Sequence, residues 1–518
     1  MSGGTAAGVG EACWSPRAGP TTTWAAPASA SHGGRGRRTS RAASRSRSRA
    51  PTSATERSFR ASHRVLRDAV PTIARVTPSH DALVAELSEL IAIPSVSADP
   101  AHADDVARAA DWVAERIRGS GGEVEIAERD GRPLVLGEVP ASRSDAPTVL
   151  AYAHLDVQPP DPLDLWHSDP WALAERDGLL VGRGVADDKA HLFMLLKATE
   201  LLAAAGELPV TVRFAIDAEE EIGGHSVSDW VAEDTGPADA AVILDGGYAT
   251  ATIPSFCTAL RGICYFHVTA RTGERDLHSG MVGGAALNAG EALMRTLSSV
   301  LPGPDGRLPE PLRAGIIPPT ESEVAGWSAL PSGAEELAGQ GARAADATAA
   351  EEFVLRTTSE PSVSVNGFES GSPRLQKTVL PVEAQANVSI RLAPGQSTAE
   401  IAPVFEQLLH DAAPEGTALE VLLWSTGEPA HVDPSAPAVQ LGLDAFEHVL
   451  GTRPILTRSG GSIPVVATLA ARGVPSIVTG FARPTAQMHS PNENLPAAAL
   501  GEGLATIVEL LRRFEALG

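Results

Sequence analysis

The most constraining feature of this chain is a series of apolar runs that stop, one after another, at acidic residues or a histidine. "PTVLAYAHLDV" (147–157) is a continuous apolar stretch ending on His154 and Asp156. "LPVTVRFAIDAEEEIGG" runs into Glu219, Glu220 and Glu221, and "ADAAVILDGG" runs into Asp245. Continuous apolar runs of this kind are strands buried on both faces of a sheet. Between the first two lies "DDKAHLFMLLKATELLAAAGE", a long helix. Apolar strands alternating with helices imply an α/β domain with helices on both faces. Such folds place their ligand sites beyond the carboxyl ends of the strands. The acids and the histidine are therefore expected along one edge of one sheet.

Each piece alone has an ordinary explanation. Residues i and i+2 of a strand face the same side, so Asp156 can orient His154 or reach the same site, yet such pairs also occur on plain surfaces. Asp187 and Asp188 in "GRGVADDKA" precede a helix, where acids complement the helix dipole. Asp245 before glycine could simply make a turn. Three adjacent glutamates repel one another, and after a buried strand that repulsion calls for a cation. Together the residues form a mixed nitrogen and oxygen ligand set that suits Zn²⁺ or Mn²⁺. The excess of carboxylates over histidines points to two metals, with one carboxylate bridging ions about 3.5–4 Å apart. A metal pair of this kind holds a hydroxide as nucleophile and polarises a carbonyl oxygen. A free carboxylate beside it must take the water's proton and pass it to the leaving amine. His489 stands alone in the polar loop of "SIVTGFARPTAQMHSPNENL" (477–496), and it is expected to be the last ligand.

The rest of the chain frames this site. "SHDALVAELSELIAIPSV" is a helix with Ser79 as its N-cap, and "ADDVARAADWVAERIRGSGG" is a second amphipathic helix. The pattern changes near 255–262. "ICYFHVTARTGE" (263–274) and "VEAQANVSIRLAP" (382–394) alternate apolar and polar residues, as half-buried antiparallel strands do. Between them lie the helix "AALNAGEALMRTLSSVL" and a Pro/Gly/Ala-rich polar stretch over 303–350. The α/β style returns in "VQLGLDAFEHVLG" and "GEGLATIVELLRRFEAL". The expected division is a basic, disordered segment 1–77, a catalytic domain formed by 78–258 and 429–518, and an inserted α+β domain over 259–428.

Composition narrows the function classes. The net charge of −23 excludes a nucleic-acid binder with a basic footprint. Residues 1–77 are the exception, with 13 arginines against 3 acidic residues and almost no apolar periodicity. This segment has no continuous apolar core of a secretory signal, although its Arg- and Ser-rich, acid-poor text is similar to an organellar transit peptide. Cys13, Cys257 and Cys264 make no disulfide framework or zinc-finger spacing. No apolar run is long enough to span a membrane. A cytoplasmic enzyme without membrane or nucleic-acid partners is expected.

His154-Leu155-Asp156, "GRGVADDK", "EEEIGG", "VILDGG" and "MHSPNE" resemble, in order and spacing, the zinc metallopeptidase family of aminoacylases, acetylornithine deacetylase, succinyl-diaminopimelate desuccinylase and carnosinases. "DLHSG" (276–280), "SIRLAP" (389–394) and "RSGGSIP" (458–464) bring the resemblance nearest to the carnosinase and cytosolic nonspecific dipeptidase branch. It spans about 80–515. It implies a zinc-peptidase-like catalytic domain with a mixed central sheet, and a ferredoxin-like lid that also makes a homodimer. It implies that His154 and Asp245 bind one ion, that Glu221 and His489 bind the other, and that Asp187 bridges them. Glu220 would be the general base and acid, Asp156 would orient His154, and the Asp187–Asp188 peptide would be cis.

The same resemblance implies roles in the inserted domain. His278 would cross to the partner's site to stabilise the oxyanion. Arg391 would hold the substrate carboxylate, a task suited to a guanidinium fork. Gly460, Gly461 and Ser462 would offer N–H groups and a hydroxyl to it, and Thr378 would add a contact. Domain opening would hinge near 256–262 and 426–434. Two features depart from the pattern: Ser459 stands where many relatives have Glu, and Ala190 where many have Gly. The first bears on recognition of the substrate's amino end. The implied activity is hydrolysis of dipeptides with a free C-terminal carboxylate, using two divalent ions per subunit: zinc, with manganese or cobalt as substitutes. An N-acyl-amino-acid amidohydrolase with the same site is the alternative.

Overall fold

A computed structural model of the protein describes residues 78–129 and 131–518. The basic segment 1–77 lies outside the described residues. Helix His80–Ile91 starts where Ser79 Oγ accepts the Ala82 N–H at 3.2 Å, the expected N-cap, and it buries Leu83, Leu87, Leu90 and Ile91 at helical spacing.

The larger sheet has six strands in the spatial order Glu123–Arg129, Arg132–Val139, Thr211–Asp217, Thr148–His154, Ala240–Ile243 and Ser476–Val478. The last four are parallel, and the first two extend one edge antiparallel, so the sheet is mixed as expected. The edge strand Glu123–Arg129 mixes exposed and half-buried residues with none buried, so it is no continuous apolar run and escapes that criterion. By contrast every residue of Thr148–His154 is buried. The helix Lys189–Ala204 that follows the Asp187–Asp188 pair is buried on nearly all sides, which explains its weak amphipathic pattern. Because the central strands are parallel, their carboxyl ends share one edge. His154 lies directly opposite Asp217 there, and Asp245 follows the neighbouring strand by two residues.

A second, four-stranded antiparallel sheet is ordered Ser362–Ser370, Glu383–Leu392, Gly262–Arg271 and Ala418–Gly427. With helices Ala289–Ser298 and Thr398–Ala412 it follows the β-α-β-β-α-β order of a ferredoxin-like unit. Alternation works as anticipated: Cys264, Phe266, Val268 and Ala270 face inward with Ala386, Val388 and Ile390. Phe266 stacks on Phe405 at 4.7 Å between ring centroids. This buried cluster shares no residue with the cluster under the larger sheet.

The 303–350 stretch is more ordered than its composition suggests. Helices Glu321–Trp327 and Gly333–Gly339 each begin with a reciprocal capping box, Thr320 with Glu323 and Ser332 with Glu335. These caps satisfy the first N–H groups of helices too short to show apolar periodicity. The fully buried Glu323 also takes Arg458 Nε at 2.9 Å, which docks the stretch onto strand Ile455–Ser459.

Candidate metal centre

Asp187 is the centre of the cluster. Its Oδ1 lies 2.9 Å from His154 Nε2, and its Oδ2 lies 2.9 Å from His489 Nε2. His489 Nε2 is also 3.2 Å from Glu221 Oε2. Two overlapping trios result, His154–Asp187–Asp245 and Asp187–Glu221–His489, each with its ligand atoms within 4.8 Å of one another. These are the five residues expected from the sequence, in the two expected groups, and Asp187 belongs to both.

The ring of His154 is fixed from behind. Its Nδ1 is 3.1 Å from the Asp156 carbonyl oxygen and 3.5 Å from Asp156 Oδ1. A proton on Nδ1 leaves the Nε2 lone pair for a metal. The nearer acceptor is the Asp156 main chain rather than its carboxylate. Asp156 Oδ2 accepts the Glu221 N–H at 3.2 Å, so the same carboxylate also steadies the second trio. Gln158, which the motif reading passes over, donates to Glu221 Oε2 at 2.8 Å.

The three adjacent glutamates diverge. Glu219 Oε1 accepts the Ser226 N–H at 2.8 Å, at the start of helix Ser226–Glu233. Glu221 turns to His489. The Glu220 carboxylate makes no hydrogen bond among the described residues, and its charged neighbours are His154, Glu221, Asp187 and Asp156. Burial raises its carboxyl to about 7; His154 opposes this, while the adjacent carboxylates add to it.

The "GRGVADDK" motif is explained by a support behind Asp187. Arg183 and Glu493 form a fully buried ion pair at 2.6 Å. Glu493 also accepts the N–H groups of Gly184, Ala186 and Asp187 at 2.8–3.0 Å. Gly184 has φ 84° and sits where a Cβ would overlap Val157, so this turn requires glycine. Lys189 Nζ donates to the carbonyls of Leu90 and Ile93 at the end of the first helix. Asp188 does not cap the helix after it. Its carboxylate instead binds His191 Nδ1 at 2.7 Å and the His154 N–H at 3.3 Å. The Asp187–Asp188 peptide is cis, as the resemblance implied. None of Arg183, Gln158, His191 or Glu493 was anticipated as part of the site, and Asp188 entered it only as the neighbour of Asp187. The only signal was that Arg183 and Glu493 fall inside motifs that carry the resemblance.

His489 sits on a loop in which Gln487, His489 and Asn492 all have left-handed backbone, with φ between 56° and 65°. Such non-glycine conformations persist only where surroundings enforce them. Asn492 supplies part of that, through Oδ1 to the His167 N–H at 2.8 Å and Nδ2 to the Leu165 carbonyl at 2.9 Å. On the other side of the centre, Gly480 packs so tightly on the Gly246 carbonyl that a Cβ would overlap it, which holds the turn after Asp245.

Two imidazoles amid this many carboxylates fit a divalent pair. Hydrogen bonds to Asp187 and Glu221 raise His489 to about 10, and burial raises Asp245 well above its ordinary range. Those are the groups a metal would deprotonate or neutralise on binding.

The remaining expected residues are not joined to the cluster by any hydrogen bond or ion pair among the described residues. His278 is exposed, and its Nδ1 accepts the Gly280 N–H at 3.1 Å. Ser279 donates both its hydroxyl and its N–H to the Thr378 carbonyl, tying the two segments together. Arg391 lies half-buried on strand Glu383–Leu392. Gly460, Gly461 and Ser462 form the turn between strand Ile455–Ser459 and helix Pro464–Ala471. Flanking that turn, Ser459 and Ile463 line a cavity of about 200 Å³ together with Asp245, which brings the loop alongside the metal ligands.

A mixed sheet with this cluster at its carboxyl edge and a ferredoxin-like insertion defines a metal-dependent peptidase fold. The model of peptidase family M20/M25/M40 matches residues 150–513, and the chain belongs to that family. It is 31% identical over 440 residues to cysteinylglycine-S-conjugate dipeptidase of Corynebacterium striatum, covering 82% of this chain and 94% of the relative. It is 29% identical over 422 residues to Cys-Gly metallodipeptidase dug1 of Schizosaccharomyces pombe, covering 75% and 86%. The fold is similar to that of the M20 family metallo-carboxypeptidase Sso-CP2 from Sulfolobus solfataricus, with TM-score 0.71, 24% identity, and 84% and 99% of the two chains covered. The relatives match the expected dipeptidase branch.

Glu493→Gln keeps the shape of the support but leaves Arg183 buried without a countercharge. We expect a loss of about 3 kcal/mol in denaturant-unfolding stability and weaker metal retention on dialysis. Unchanged stability and metal content would show that the support does not matter.

Proposed function

We propose that the protein is a di-metal dipeptidase, hydrolysing the amide bond of dipeptides that carry a free C-terminal carboxylate. The observation that carries this reading is the sharing of Asp187 between two ligand trios, with the carboxylate of Glu220 left without a hydrogen bond beside them. That the named relatives are dipeptidases supports the peptide reading over the acyl-amino-acid one. Two cations held there, zinc or in its place manganese or cobalt, would supply a Lewis acid for the carbonyl oxygen and an ionised water as nucleophile.

The chain's own residues do the rest. Glu220 takes the water's proton and returns it to the leaving amine, a role suited to a carboxyl raised to about 7. Asp156 holds His154 in one tautomer. Arg391, with the Gly460–Gly461–Ser462 turn and Thr378, receives the substrate carboxylate. His278 reaches the oxyanion in the partner's site, and the ferredoxin-like domain forms the homodimer. That domain leaves Leu422 and Trp424 exposed, with Trp424 stacked on His267 at 4.6 Å, an apolar surface suited to a second copy. Cys257 and Cys264 are unpaired, in keeping with a cytoplasmic enzyme.

Glu220→Ala should keep its metals and lose turnover by about 10²–10⁴-fold. Near-normal hydrolysis of a dipeptide panel, at unchanged metal content, would overturn the assignment. The partner role of His278 has its own test. Inactive Glu220→Ala and His278→Ala proteins, mixed and allowed to exchange subunits, should regain up to about a quarter of native activity, because a heterodimer rebuilds one intact site. Absence of recovery despite demonstrated exchange would place His278 outside the partner's site.

A further inference from the structure

Arg261 is the single residue between strand Ser255–Leu260, the middle strand of a three-stranded sheet, and strand Gly262–Arg271 of the four-stranded sheet. Its N–H donates to the Ser459 carbonyl at 3.2 Å. Its side chain turns to the same loop and to the inserted domain. Nε reaches the Gly460 carbonyl at 3.3 Å, and Nη1 reaches Ser362 Oγ at 3.1 Å and the carbonyls of Arg356 and Glu360 at 3.4 and 3.5 Å. Every one of these acceptors is neutral. Other interior arginines have carboxylates: Arg183 has Glu493, Arg458 has Glu323 and Arg213 has Asp234. Among the described residues Arg261 forms no ion pair, and Arg391 forms neither an ion pair nor a side-chain hydrogen bond.

These two guanidinium groups are neighbours. Ser362, which accepts from Arg261, stands directly opposite Arg391 in the antiparallel register. Side chains so paired share a face, with Cβ atoms about 4.5–5.5 Å apart. Burial first, and then the charge of Arg391, lowers Arg261 to about 10. Two like charges, partly buried and without an anion between them, define a place where an anion is stabilised. Gly460 adds a geometric link. A Cβ there would lie 2.7 Å from the Thr357 carbonyl oxygen and 3.1 Å from Arg261 Nη2, so only glycine lets the turn press against the guanidinium. The flanking Ser459 and Ile463 line the cavity that contains Asp245.

We propose that Arg261 is a specificity-determining positioning residue: with Arg391 it makes a paired-guanidinium subsite for a carboxylate close to the scissile bond, and it holds the Gly460 turn against that subsite. The inference rests on the dipeptide reading above. It selects short substrates ending in a free carboxylate over their amides.

The test compares kcat/KM for Ala-Leu and for Ala-Leu amide in the full-length metal-loaded protein, its Arg261→Gln variant and its Arg261→Lys variant. The acid-to-amide ratio does not depend on the fraction of protein that folds. Arg261→Gln should lower that ratio about tenfold, through KM for the acid and with kcat for it within about threefold of native. Arg261→Lys, which keeps the charge, should recover most of the ratio. A ratio for Arg261→Gln within about twofold of native overturns the paired subsite. A native protein that shows no preference for the acid overturns the dipeptide reading together with it, so the two failures are told apart.

Discussion

Everything in this site depends on placing one carboxylate, Asp187, between two imidazoles and holding it there. A carboxylate with each oxygen committed to a different partner has no rotational freedom left. The fold secures it from behind with a buried ion pair, Arg183–Glu493, whose glutamate also takes three main-chain N–H groups of the loop. A buried pair of this kind is weak evidence for stability, since hydrophobic residues often do as well. Its value here is positional. It fixes the loop that carries Asp187 to the loop that carries His489, which are otherwise separated by some three hundred residues.

The parallel strands supply the other half of the geometry. Because they run side by side in one direction, ligands at their ends need no long loops to meet. His154, Glu221 and Asp245 stand at or just past the ends of three adjacent strands, so the cluster gathers at one edge with the carboxylate of Glu220 beside it. Charge makes the arrangement unfavourable without cations, as the raised carboxyls of Glu220 and Asp245 indicate. Cations bound there would relieve that repulsion.

Much of this was legible in the chain's text because the site is built from charged residues at the ends of apolar runs. Periodicity cannot tell Asp187 from Asp188, however, and only the resemblance separated them; the structure shows that Asp188 serves His191 and the His154 main chain. Arg183 and Glu493 were illegible as a pair because a contact between residues 310 apart leaves no local pattern. Arg261 lies in an ordinary-looking "LRGI", and its meaning comes only from what its guanidinium touches and what it lacks. The helices over 321–339 escaped because capping, rather than an apolar stripe, starts them. His278, Arg391 and Thr378 remain assigned by resemblance and by their setting in the ferredoxin-like domain.

The most direct measurement is metal stoichiometry, by elemental analysis of native protein and of Asp187→Ala and Asp245→Ala variants after equilibration with zinc and gel filtration. Two ions per native chain, loss of both in Asp187→Ala and loss of chiefly one in Asp245→Ala is the predicted pattern. A native chain holding a single ion, or an Asp187→Ala protein that still holds two, would contradict a shared carboxylate at the heart of the centre.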